Sequence, residues 1–137
     1  VPWKTSTSLR FTVLTQWGSA TTMGFTDLEV WTLNPFPMEE KQIISCEASN
    51  EYNANYACIK AYTSGEWAVA TGAIGSWIKI WFHQEQLISV LYLGNRGDGT
   101  SLSRTLRLDF SDGNYTSVGL QQDVVVRSYE TPLTHTL

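Results

Sequence analysis

The stretch WIKIWF, residues 77–82, alternates with a period of two: Ile78, Ile80 and Phe82 face one way, while Trp77, Lys79 and Trp81 face the other. That periodicity belongs to a strand with one buried and one wet side. The pattern recurs outward along the chain. SLRFTVL (8–14) places Leu9, Phe11 and Val13 on one face, and GFTDLEVW (24–31) sets Leu28 and Val30 against Asp27, Glu29 and Trp31. LRLDF (106–110) alternates up to Ser111-Asp112-Gly113, a hairpin-turn triplet. Leu87 to Leu93 is a more continuous apolar run, and residues 115–127 read as the return strand and its neighbour, with Gly119 a candidate bulge. A helical period is not sustained, although Asn53 to Ala61 has room for one or two helical turns. With turn signals about every 8–12 residues, the expected class is all-β, a sandwich or jelly roll.

At 137 residues the chain is long enough to bury one sizeable core. Nine Lys+Arg against 13 Asp+Glu give a net charge of −4, which argues against the basic stripe that nucleic-acid binding needs. Apolar runs fall short of the roughly 18 residues that cross a bilayer, so membrane insertion is not expected. Val1 in place of Met suggests a piece processed from a longer precursor. Cys46 and Cys58 lack CxxC spacing and nearby histidines, so a local disulfide is favoured over two buried free thiols. Asn114-Tyr115-Thr116 spells a glycosylation acceptor just after the SDG turn. Both features favour an extracellular, secreted glycoprotein.

Little points to catalysis. His83 and His135 lie beyond a strand end and at the C-terminus, outside any Ser-His-Asp or metal-ligand spacing. Glu39/Glu40 and Asp27/Glu29 read as solvated charge. The chain is expected to be non-enzymatic.

ACIKAYTSGEWAVATGAIGSWIKIWF (57–82) resembles the core signature of discoidin-type, coagulation-factor-type-C-like domains, carried by Trp67, Gly75, Trp77, Ile78 and Ile80. These domains are galactose-binding-like jelly-roll β-sandwiches. RTLRLDFSDGNYTSVGL (104–120) is similar to the family's later hairpin, and FTVLTQW (11–17) with GFTDLEVW (24–31) resemble its closing strands. The resemblance implies a single domain over 1–137 in permuted order, with 1–34 supplying the closing strands and 35–137 the remainder. Pro35 and Pro37 mark the break, since proline cannot continue a ladder. The two ends, PWKTSTSL (2–9) and PLTHTL (132–137), are both Pro-led, Thr-rich approaches to a leucine. Three arrangements fit: a unit cut from a repeat array, a circular permutant, or strand exchange with a neighbour. Under exchange, Leu28, Val30 and Trp31 complete a neighbour's sheet, and Trp81, an apolar group on a nominally wet face, marks a covered surface.

By the same resemblance the function is binding: a structural or adhesive module held to like subunits or neighbouring repeats, or alternatively a lectin-like module for glycans or cell-surface proteins. Tyr52, Tyr56 and Tyr62 fall in the loops that hold ligand in relatives, where phenol rings suit sugar faces. Arg96-Gly97-Asp98 spells the integrin-recognition tripeptide, so Arg96 and Asp98 join the candidate contacts. No cofactor is expected. The structural calcium common in the family is opposed by Lys60, where relatives often carry a carboxylate.

Overall fold

The computed structural model describes residues 4–18, 23–32, 39–70, 74–96, 102–123 and 125–130. They form two antiparallel sheets packed over a common core, an all-β sandwich. The first sheet runs β4 (Ser45–Ala48), β6 (Trp77–Ile88), β1 (Lys4–Trp17), β8 (Leu102–Phe110), β9 (Tyr115–Gly119). The second runs β10 (Arg127–Glu130), β7 (Val90–Asn95), β2 (Met23–Thr32), β3 (Glu39–Lys41), with β5 (Glu66–Val69) also paired to β2.

Alternation decides which residues meet between the sheets. Leu9, Phe11 and Val13 of β1, Ile78, Ile80 and Phe82 of β6, and Leu28 and Val30 of β2 all lie in one buried cluster. Aromatic packing links the layers: Phe11 lies 5.7 Å from Phe25, and Phe25 meets Trp67 edge-on at 5.3 Å. β1 and β2 are each flanked by partners on both sides. Both early strands are thus central elements, and β2 closes a sheet of its own chain. Leu28 and Val30, considered as exchange contacts, are 2% and 0% exposed in that chain's own core. Asp27 has a left-handed backbone (φ 56°) where the β2–β7 register shifts, a conformation that Asp tolerates better than most side chains.

Two stretches divide between the sheets. Leu87 to Leu93 is not one strand: Leu87 and Ile88 end β6, and Val90 begins β7 in the other sheet. The crossover is at buried Ser89, whose N–H donates to the Trp31 carbonyl at 3.0 Å. A corner needs this satisfied polar backbone, which apolar periodicity does not reveal. Residues 115–127 likewise give only β9, ending at Gly119, before β10 starts at Arg127 in the other sheet. The SDG hairpin does form, with Gly113 at φ 91°.

A buried polar clasp joins the layers at one end. The Asn95 amide of β7 donates to the Ser103 and Gln121 carbonyls at 2.8 and 2.7 Å and accepts from the Ser103 N–H at 2.9 Å. Ser103 Oγ then donates to the Gly24 carbonyl at 2.9 Å. Gly24 is required for space: a Cβ there would stand 2.8 Å from the Trp67 carbonyl carbon and 2.9 Å from Ala68 Cα.

Candidate functional site

Between β4 and β5 the chain leaves the sheets and makes two short 3-10 helices, Ala54–Tyr56 and Cys58–Ala61. Asn53 starts the first by accepting the Asn55 N–H on its side chain at 2.9 Å. Glu51 accepts the Cys58 N–H at 2.7 Å, and the Tyr52 N–H donates to the Ala68 carbonyl at 2.7 Å. The Cys46–Cys58 disulfide is formed, fastening this excursion to edge strand β4. Held on both sides, the segment presents rigid aromatic groups.

Tyr52 and Tyr56 meet edge-on at 5.5 Å, and the Arg96 guanidinium lies over Tyr56 at 5.4 Å. Arg96 is fixed by Glu66, with Nε to Oε1 at 3.0 Å, and is only 9% exposed, whereas Tyr52 is 53% exposed. Three candidate residues therefore converge. Tyr62 does not join them. It lines a separate groove of about 380 Å³ with Leu28, Glu40 and Ile43, and burial pushes its phenol pKa up. Asp98 lies outside the described residues, and Arg96 is turned inward onto Glu66 and Tyr56 rather than held out from a loop tip.

The outer face of the first sheet carries a second arrangement. Trp77 and Trp81 are half-buried on it, and their cover is the chain's own cations: Arg10 lies 4.5 Å over Trp77 and Lys79 4.9 Å over Trp81. Arg107 stacks on Tyr115 at 4.0 Å and pairs with Asp109 at 3.0 Å. Arg10 and Lys79 are cross-strand partners, and with Arg107, Thr12 and Ser111 they line an open groove of about 570 Å³. Sequence reading missed this cluster. Each cation occupies an outward position of an alternating strand, but its neighbours become visible only once β6, β1 and β8 are placed side by side.

The outer face of the second sheet is acidic and aromatic. Trp31 meets Tyr92 edge-on at 6.1 Å and donates its Nε1–H to Glu29 at 2.9 Å. Glu40 is the cross-strand partner of Trp31, and burial and then Glu29 raise its carboxyl pKa above the usual range.

Other candidates stand apart. Asn114 sits half-buried in the turn after β8, its amide donating to Asp112 Oδ2 at 2.8 Å. His83 is exposed on β6, and His135 lies outside the described residues. Among the described residues no group of three or more His, Cys, Asp or Glu could hold a metal ion, and no helix is long and apolar enough to cross a membrane.

No protein-family model, curated protein or solved structure matches the chain.

Proposed function

We propose that this chain is a non-enzymatic extracellular structural or adhesive module of the discoidin, galactose-binding jelly-roll type, with its strands in permuted or repeat-offset order. It holds to like subunits or neighbouring repeats. The observation that carries this reading is that both outer faces of the sandwich display half-buried Trp in company with Tyr and charged groups: Trp77 and Trp81 under cations on one, Trp31 with Tyr92 and Glu29 on the other. Trp, Tyr and Arg are the side chains that anchor interfaces, since they combine large apolar area with a directional polar end. A disulfide fits a secreted protein. Scattering at low and high protein concentration tests the reading. Growth of the particle with concentration is expected, and a mass fixed at the monomer throughout contradicts it.

A lectin-like role is the second reading, favoured by the Tyr52–Tyr56 pair with Arg96 beside it, because two rigid rings and a fixed guanidinium could stack on and bond the rim of a sugar. Hits on a glycan array that vanish in Tyr52→Ala would establish it, and an array without hits would dismiss it.

A further inference from the structure

We propose that the two outer faces of the sandwich are complementary halves of one interface, the Arg10/Lys79 face of one copy docking on the Glu29/Trp31/Glu40 face of the next. This inference rests on the reading of the chain as a self-associating module and names the surfaces that would meet.

Each face carries like charges brought together by the fold. Arg10 and Lys79 are directly opposed on β1 and β6, where like charges side by side favour an added anion. Among the described residues neither cation makes an ion pair, and each rests on a tryptophan instead. Each has a carboxylate directly across on its other flank, Asp109 opposite Arg10 and Glu47 opposite Lys79, but Asp109 pairs with Arg107 at 3.0 Å, and exposed Glu47 forms no ion pair with Lys79 among the described residues. On the other face Glu29 and Glu40 flank Trp31, and their mutual repulsion contributes to the raised carboxyl pKa of Glu40. The same contact brings these two cations to these two carboxylates.

The dimensions agree. Directly opposed residues on neighbouring strands lie about 5 Å apart and diagonal ones about 7–8 Å, so Arg10 and Lys79 have nearly the spacing of Glu29 and Glu40. Trp81 and Trp77 on one side and Trp31 and Tyr92 on the other supply the apolar contact. Because the faces lie on opposite sides of the sandwich, the contact is heterologous. It propagates as an open stack and does not close as a two-fold dimer.

Charge reversal tests this directly. R10E/K79E carries two acidic faces, and E29K/E40K two basic ones. Sedimentation velocity should give concentration-dependent growth for the unaltered chain. It should give monomers for each variant alone, with association weakened more than tenfold, and renewed assembly when the variants are mixed. R10Q/K79Q, which removes charge without adding it, should weaken association less, and an unchanged circular dichroism spectrum shows that each variant folds. If both reversed variants assemble as the unaltered chain does, these faces are not the interface, while the self-associating reading stands. If the unaltered chain remains monomeric at every concentration, both fall. Should that monomer be retained on an immobilised sulfated polysaccharide and R10E/K79E not be, the basic face takes an anionic glycan and the docking proposal is overturned.

Discussion

Leu28→Ala asks whether β2 truly belongs to its own chain. The Leu28 side chain is 2% exposed and lies above the groove lined by Ile43 and Tyr62. Truncation removes three carbons from the core, worth about 0.8 kcal/mol each in transfer, so about 2.4 kcal/mol before any cavity cost. The adjoining groove lets water or side chains relax into the gap, which keeps the total near the low end of the range for buried leucines, about 3 kcal/mol. For a domain of this size the midpoint of thermal unfolding should fall by roughly 10 °C. Urea unfolding followed by tryptophan fluorescence reads the change, at two widely separated protein concentrations in high salt, where charge contacts between copies are screened. With β2 in its own sheet the loss is unimolecular and independent of concentration. A loss under about 1 kcal/mol, or one that grows on dilution, would refute the reasoning and return Leu28 and Val30 to a neighbour's sheet.

Three further outcomes follow from the same packing. Gly24→Ala should prevent folding or cost several kcal/mol, because its methyl must displace the Trp67–Ala68 backbone and not a flexible side chain; soluble expression with an unchanged midpoint would contradict that contact. Cys46→Ser/Cys58→Ser should cost about 3 kcal/mol through loop closure, measured by urea unfolding, and should loosen Tyr52 and Tyr56 before the sheets. Tyr62 and Tyr129 have phenol pKa values raised by burial, so their neutral form stabilises the fold up to the ordinary tyrosine value near 10, and that contribution is lost as pH climbs through the raised values. An absorbance titration should find two tyrosines ionising late and together with alkaline unfolding; Tyr62→Phe should remove one of them.

What the sequence made legible was whatever depends on one strand at a time. Period-two alternation around Ile78, Ile80 and Phe82 identified the inward face, and the SDG triplet located the β8–β9 hairpin. The Cys46–Cys58 pairing followed from spacing and the absence of metal partners. Illegible were features that depend on strand adjacency or on a change of sheet. Ser89 turns the chain from one layer to the other inside an apolar run, and the Trp31 carbonyl that satisfies its backbone N–H comes from β2, a strand much earlier in the chain. The resemblance places Tyr62 in the ligand loops with Tyr52 and Tyr56, but the intervening 3-10 turn sets it over another groove. The cation cluster is illegible because Arg10, Lys79 and Arg107 come from strands far apart in the chain.

The central claim is that opposite faces of successive copies meet, and zero-length carbodiimide cross-linking of a mixture of nitrogen-14 and nitrogen-15 chains tests it most directly. Lys79 has the exposed Glu47 as a cross-strand neighbour within its own chain, so Lys79–Glu47 links of a single isotope serve as the internal reference. Docking of the faces predicts mixed-isotope peptides joining Lys79 to Glu29 or Glu40. Mixed-isotope links that leave these residues out, or Lys79 linked only to Glu47 of its own chain under assembling conditions, would contradict it.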